Sequence, residues 1–279
     1  MKNEFFTINR FTRWTGMQNH EITGWEIGEP ITSGRKNLLE KILNRDNLNS
    51  AYKHVKANKG CPGIDGMTVR AAFYWLKKNK TKLLELIINN TYLSRPLLRK
   101  DIKKSGGGVR KLSIPTVVDR IIQQAITQQL SYIFEPLFSE SSYGYRPMRS
   151  GKMAIQEIKA LAEKGYVYAS VIDIENYFDS IDHNILFSKL CEKIYDERVL
   201  NLIHKFLHCG VIEDGMLRPT VKGCPQGSPL SPILANIYLT AFDYEVERQN
   251  RGCNKMKFLH RHFVQPFSIA QQCGVTDYH

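Results

Sequence analysis

Two short segments carry the residue types most suited to chemistry. In Val171–Asp182 (VIDIENYFDSID) an apolar run ends at Asp173, so its carboxylate emerges where a buried strand would stop. Hard divalent cations such as Mg²⁺ take oxygen ligands, often one carboxylate plus substrate phosphates, and Asp173 suits that role. Two-metal phosphoryl transfer needs at least two carboxylates converging from different segments. Taken by itself, a strand-ending Asp is more often a helix cap or an ion-pair partner. Phe178 and Asp179 follow five and six residues later. The second segment is Gly223–Gly227 (GCPQG), continued by Ser228–Pro232 (SPLSP). Its proline sets a turn and Gly227 allows close backbone approach to a ligand. Gln226 offers a donor and an acceptor, suited to a sugar or a base edge. Alone, the segment also reads as a loop that merely starts a helix.

A third segment supplies positive charge. Arg95–Lys111 (RPLLRKDIKKSGGGVRK) holds seven basic residues and one acid around Gly106, Gly107 and Gly108. A two-stranded hairpin with a glycine tip fits, and glycines let backbone amides approach a phosphate while Lys104 and Arg110 supply charge. It is not a Walker loop, because no GxxxxGK[ST] occurs in the chain. His204 and His208 (HKFLH) share one helix face, but no Glu follows the first as a metalloprotease motif requires, so a plain amphipathic helix is expected. Cys61, Cys191, Cys209, Cys224, Cys253 and Cys273 form no CxxC, and Met1–Gly16 lacks the charged-then-apolar pattern of a secretory signal. Free thiols in a reducing cytosol are the expectation.

The elements that must position these residues are mostly helical. Apolar spacing predicts helices from Asn37, around Leu48–Val55, over Val69–Asn89, over 117–134, over Met153–Leu161, at His183–Lys193 and Glu197–Leu207, and over Ile233–Glu247. Tyr166–Ile174 (YVYASVIDI) predicts a buried strand that presents Asp173 at its end. Residues 1–36 read as a leader of loose order, and Asn58–Gly66 as turn-rich.

Composition limits the classes. The chain has 279 residues, 42% hydrophobic and 10% aromatic, enough to build real cores and too apolar for a disordered chain. No apolar run approaches the roughly 20 residues of a membrane span. The net charge of +12 favours a polyanionic partner, most often nucleic acid.

In order along the chain, the segments form a recognisable set. They are Asn58–Gly66 (NKGCPGIDG); Tyr92, Pro96, Arg99, Ile102 and Lys104 in a Y-x-P-x-P-x-x-R-x-x-I-P-K run, with Ser94 and Lys103 in place of two prolines; Gly107–Pro115 (GGVRKLSIP); Asp119–Ala125 (DRIIQQA); Glu135–Phe138 (EPLF); Ser142–Ser150 (SYGYRPMRS); VIDIENYFD; and GCPQGSPLSPILANIYL. Over about residues 37–250 this resembles the reverse transcriptase domain of group II intron-encoded proteins, within the retron-type superfamily. The resemblance implies an α+β right-hand polymerase: a leader over 1–36, helix-rich fingers over 37–160, a partial palm with a small antiparallel sheet over 161–250, and a tail unlike the family over 251–279. It implies RNA-directed DNA synthesis with two Mg²⁺ ions, an RNA template or intron RNA, a DNA primer and deoxynucleotides, and no membrane. It assigns Asp173 as catalytic metal ligand with the backbone carbonyl of Ile174. Lys104 and Arg110 would hold the triphosphate, Phe178 would bar a 2′-hydroxyl, and Gln226 and Gly227 would meet the nucleotide sugar. Lys59, Arg95, Arg99, Arg120, Arg146 and Arg149 would track RNA.

One departure matters. The family's Tyr-Ala-Asp-Asp motif should follow Phe242–Arg248, yet the 279 residues contain no Asp-Asp dipeptide, and Asp277 is the one Asp after Asp243. A truncated or frameshifted, catalytically impaired polymerase is therefore expected, with apolar surface on Val167–Ile174 and Ile233–Leu239 left uncovered. The alternative is a non-catalytic RNA-binding, maturase-like fragment. A metal nuclease built on Asp173, Asp179 and Asp182 is a weaker third reading.

Overall fold

A computed structural model describes residues 37–103, 109–166 and 173–250. The elements in chain order are α1 (Leu38–Leu43), α2 (Arg45–Ala57), α3 (Val69–Ile88), β1 (Leu97–Lys103), β2 (Val109–Ile114), α4 (Val117–Phe134), a 3₁₀ turn (Glu135–Leu137), α5 (Gly151–Glu163), α6 (Tyr177–Ser180), α7 (His183–Cys191), α8 (Glu197–Leu207), β3 (Val211–Glu213), β4 (Met216–Arg218) and α9 (Ser231–Asn250). The fold is α+β. No helix among the described residues is long and apolar enough to cross a membrane.

The helices begin where side chains satisfy their first backbone N–H groups. Thr68 Oγ1 accepts from Ala71 N at 3.1 Å, Thr116 Oγ1 from Asp119 N at 3.2 Å, and Asp182 Oδ1 from Asn184 N at 2.8 Å. Asp196 caps α8 and also accepts from Leu39 N at 3.0 Å, which joins α1 to α8 across 157 residues of sequence. Helix α4 is the axis of the core. Val117, Ile122, Ala125, Ile126 and Leu130 are fully enclosed and belong to one apolar cluster that reaches from Leu38 through Leu186 and Ile203 to Ile237. Arg198 spans Asp196 and Glu40 on the same seam, and its hydrogen bond holds the Glu40 carboxyl below the usual range.

The basic hairpin forms as expected. β1 and β2 pair antiparallel from Leu98 opposite Ile114 to Lys103 opposite Val109. The sheet order is β2-β1-β3-β4, with β1 parallel to β3 and β3 antiparallel to β4. The described sheet is mixed and is built on the finger hairpin. The β3–β4 hairpin had no sequence prediction, because three-residue strands are too short to show alternation. The strand expected over Tyr166–Ile174 falls largely on residues 167–172, outside the described residues.

One correction concerns α9. Ile233, Leu234, Ala235, Ile237 and Leu239 are buried, not left open, because α9 packs on α4 and α7. Ile174 is 41% exposed. A second correction concerns the thiols. Cys191, Cys209 and Cys224 are free, but Cys61 is disulfide-bonded. Pairing depends on Cα–Cα proximity in space, which sequence spacing does not reveal.

Candidate nucleotide site

Asp173 is exposed and enters a turn, Glu175–Asn176, in which Asn176 adopts a left-handed φ of +48° before α6. Asn is among the few residues that accept this conformation readily. Tyr177 pins the turn to α9: its hydroxyl donates to Ala235 O at 2.6 Å and its ring lies 6.4 Å from Tyr238. Burial pushes the Tyr177 phenol well above its ordinary pKa. Phe178 is half-buried and meets the Tyr177 ring edge-on at 5.6 Å.

The Gly223–Gly227 loop lies directly against this turn. Gly223 N donates to Ile181 O and Cys224 N to Phe178 O, both at 2.7 Å. Gly223 has φ +86°, and a Cβ there would stand 2.9 Å from Asp179 Cα. The other edge of the loop meets β2. Ser113 N donates to Gln226 O at 2.8 Å, and a Cβ on Gly227 (φ +113°) would stand 3.0 Å from Ser113 O. Both glycines are therefore required by close approach as well as by backbone conformation. Below, Ser228 Oγ donates to Gln123 Oε1 at 3.0 Å and Thr127 Oγ1 to Pro229 O at 3.2 Å, which fixes the loop on α4.

Side chains link the three segments. Arg110 Nε on β2 donates to Gln226 Oε1 at 2.9 Å, and Gln226 Nε2 donates to Asp179 Oδ2 at 3.3 Å. Tyr145, with φ +53°, lies near enough for the Arg110 charge to act on it; burial pushes its phenol up to about 12, with Arg110 opposing the shift. The Tyr145 segment is held by Asn236 Nδ2 donating to Gly144 O at 2.9 Å. Of the expected nucleotide residues, Arg110, Phe178, Gln226 and Gly227 thus converge, and Asp173 opens the turn that carries Phe178. Lys104 lies outside the described residues. Sequence reasoning did not place Tyr145 at the site, and it assigned Asp179 only to the nuclease reading. The signal for Asp179 was its position directly after Phe178.

The histidines do more than mark a helix face. His204 and His208 stack with ring centroids 3.9 Å apart, His208 Nε2 lies 3.1 Å from His183 Nδ1, and His183 Nε2 lies 2.8 Å from Gly223 O. Burial and the neighbouring His208 and His183 bring His204 down to about 4. Among the described residues no group of three His, Cys, Asp or Glu side chains is arranged to hold a metal ion.

The expected RNA-facing residues divide. Lys59 and Arg95 are exposed. Arg99 is half-buried, donating to Ser113 Oγ at 2.7 Å with its Nε 3.8 Å from Glu213. Arg149 pairs with Glu140 and lies 5.3 Å from the Tyr143 ring centroid. Arg120 and Arg146 are corrections. They are 3% and 7% exposed, Arg120 donating to Cys61 O and Arg146 to Glu135, Ser139 O and Ser142 O. A guanidinium enclosed in this way serves the fold and offers no surface to a phosphate.

The chain is similar to several known proteins. A family described as "Reverse transcriptase (RNA-dependent DNA polymerase)" matches residues 102–263. The "Group II intron-encoded protein LtrA" of Lactococcus lactis subsp. cremoris is 36% identical over 207 residues, which is 74% of this chain and 34% of that protein. "Protein YkfC" of Escherichia coli (strain K12) is 33% identical over 239 residues, 83% of this chain and 62% of that protein. The "Uncharacterized 91 kDa protein in cob intron" of Schizosaccharomyces pombe is 35% identical over 213 residues, 74% of this chain and 25% of that protein. The chain spans about a third of the length of LtrA. In fold it is similar to a chain of a solved "Partial Cas6-RT-Cas1--Cas2 complex", with a TM-score of 0.52 and 22% identity over 82% of this chain and 39% of that one. The chain belongs to the reverse transcriptase (RNA-dependent DNA polymerase) family, among relatives of the group II intron-encoded reverse transcriptases and maturases.

Proposed function

We propose that the chain forms the fingers (37–160) and part of the palm (161–250) of a group II intron-type RNA-directed DNA polymerase, which extends a DNA primer on an RNA template with deoxynucleotides. The carrying observation is the meeting of three distant segments at Gln226: Arg110 from the basic hairpin, Asp179 from the turn after Asp173, and the Gly223–Gly227 loop between them. Phosphoryl transfer depends mainly on positioning and charge neutralisation, and this arrangement offers both. The exposed Asp173 carboxylate and the Ile174 carbonyl are oxygen donors, the set that suits Mg²⁺. Bound there, Mg²⁺ would neutralise charge on the triphosphate and at the reacting phosphorus.

The protein's own residues have distinct roles in this reading. Arg110, with Lys104, holds the triphosphate. The Phe178 ring, braced by Tyr177, closes the space beside the sugar C2′ and bars a hydroxyl. Gln226 meets the sugar, and Gly227 lets the backbone come close. Lys59, Arg95, Arg99 and Arg149 track the RNA backbone, a setting in keeping with the bacterial cytoplasm. Primer extension with Mg²⁺ and deoxynucleotides tests the reading against an Asp173→Ala control. Extension abolished by the substitution supports it. Extension that survives Asp173→Ala overturns the role given to that carboxylate.

A second reading rests on the net charge of +12 and on the intron maturases among the chain's relatives. A maturase-like fragment would then grip intron RNA without chemistry. Its signature is RNA binding that weakens steeply with salt, is unchanged by Asp173→Ala and is accompanied by no extension. Binding insensitive to salt would exclude it.

A further inference from the structure

Both backbone groups of Gly223 are held around the start of α7. Its N–H donates to Ile181 O at 2.7 Å, and its carbonyl lies 2.8 Å from His183 Nε2. The contacts continue outward: His183 Nδ1 lies 3.1 Å from His208 Nε2, and His208 Nδ1 lies 3.0 Å from His204 O. A carbonyl only accepts, so His183 Nε2 and His208 Nδ1, at the two ends of this row, each carry a proton. The contact between the rings needs one more, because two bare lone pairs 3.1 Å apart repel. Three protons on two rings are one more than two neutral imidazoles hold.

The surroundings decide which ring takes the extra proton. His183 is 7% exposed, and burial opposes charge there. His208 is exposed and ends α8, where the helix dipole favours a cation. The His204 ring lies flat on the His208 ring, with centroids 3.9 Å apart and planes at 15°, and so offers a π face to the charge. His204 itself stays neutral down to about 4. The other charged groups acting on these rings are Asp182 at the start of α7, which favours charge on His183, and Lys205 on α8, which opposes charge on His204. Asp179 packs against Gly223 itself.

We propose that His208 is held as an imidazolium and is a positioning residue: by donating to His183 Nδ1 it fixes the His183 ring and tautomer that hold the Gly223 carbonyl, and so seats the Gly223–Gly227 loop. Which nitrogen of an imidazole carries the proton is set by the bond its other nitrogen makes. When His208 gives its extra proton to water, two protons are left for three contacts, and one contact opens. The loop is therefore seated more firmly at pH 6 than at pH 8, a range that spans the ordinary titration of an imidazole near 6.5. The seating is independent of the proposed function, and its effect on nucleotide binding rests on that reading.

Measurements on the full chain separate the two. Long-range ¹H–¹⁵N spectra of the ring nitrogens at pH 6 should show two protonated nitrogens on His208 and one, Nε2, on His183. A single protonated nitrogen on His208 at pH 6 overturns the held proton. Hydrogen exchange at Gly223 N–H and Cys224 N–H reads the seating. Corrected for the pH dependence of unprotected amides, their protection should fall about fivefold from pH 6 to pH 8, the worth of one ordinary hydrogen bond. His208→Gln, whose NH₂ donates at every pH, should keep high protection at both. His208→Phe, which keeps a stacked ring but donates at neither pH, should show low protection at both. A fall in His208→Gln equal to that of wild type, or undiminished protection in His208→Phe, overturns the positioning role. Nucleotide binding is read last, as retention by dTTP of the complex with an RNA template and a dideoxy-terminated primer in Mg²⁺. From pH 6 to pH 8 wild type should lose about fivefold more retention than His208→Gln. Equal losses alongside pH-dependent exchange overturn the effect on the nucleotide and leave the seating supported. A wild-type complex retained at neither pH overturns the nucleotide-site reading, while the exchange data still decide the seating.

Discussion

Replacing Gly223 by alanine should be among the most damaging small changes in the chain. Two effects add. The first is conformational: φ +86° is a region that L-residues enter at a penalty of about 1–2 kcal/mol. The second is steric. The new Cβ would stand 2.9 Å from Asp179 Cα and Asp179 O and 3.0 Å from Phe178 O, and backbone atoms cannot swing aside as a flexible side chain would. The loop and the turn must separate, which strains the bonds from Gly223 N to Ile181 O and from Cys224 N to Phe178 O. Each is worth about 1 kcal/mol net. The sum is about 3–4 kcal/mol, a large part of the 5–15 kcal/mol typical of a folded domain. Gly215 supplies the control, since it has φ +77° with nothing within 4 Å of its Cβ position, and Gly215→Ala should lose only about 1 kcal/mol. Urea unfolding followed by circular dichroism reads both. With a slope of about 3 kcal/mol per M, Gly223→Ala should lower the midpoint by about 1 M and Gly215→Ala by about a third of that. Equal shifts in the two variants would refute the close approach of loop and turn on which the site depends.

Three further outcomes follow from buried polar groups. Tyr92→Phe removes a hydroxyl that donates to Asp119 Oδ1 at 2.6 Å; Asp119 is 1% exposed and its carboxyl is raised mainly by desolvation, so thermal or urea unfolding should show a loss of about 2 kcal/mol. Asp243 is 3% exposed and desolvation pushes it up to about 7, so the folded chain holds a proton that the unfolded chain releases near pH 4. Stability should fall as pH rises from about 4 to about 7, and Asp243→Asn should remove that slope and gain about 3 kcal/mol at pH 8. His204 runs the other way. It stays neutral in the fold down to about 4, so its contribution is complete above the unfolded pKa near 6.5 and is lost as pH falls toward 4. Because the ring is partly exposed, solvent screening holds the effect to about 1 kcal/mol, and His204→Gln should flatten the urea midpoint between pH 7 and pH 5.

Apolar residues at helical spacing made α3, α4, α7, α8 and α9 legible in the sequence; α8 buries one face, whereas the first turns of α4 and α9 are enclosed all round. The hairpin was legible because basic, strand-forming runs flank three glycines. The β3–β4 hairpin was not, because its two strands have three residues each. At the site, Gln226 and Phe178 stood out through their loops. Tyr145 did not, because its approach to Arg110 depends on α9 holding Gly144.

The arginines give the clearest division. Composition alone shows a chain of net charge +12 and so a polyanionic partner, because charge is additive and needs no geometry. Which cations can meet that partner is a matter of burial. Arg120 and Arg146 look like Arg95 in the sequence, yet they are enclosed and bonded to backbone carbonyls, while Arg95 is exposed. The same holds for the site. The order of its motifs identifies the family, whereas the bonds of the Gln226 amide depend on Arg110 and Asp179 arriving from 116 and 47 residues away. Local sequence sets helices and turns through neighbours a few residues apart. Contacts over such separations exist only once the core around α4 has closed.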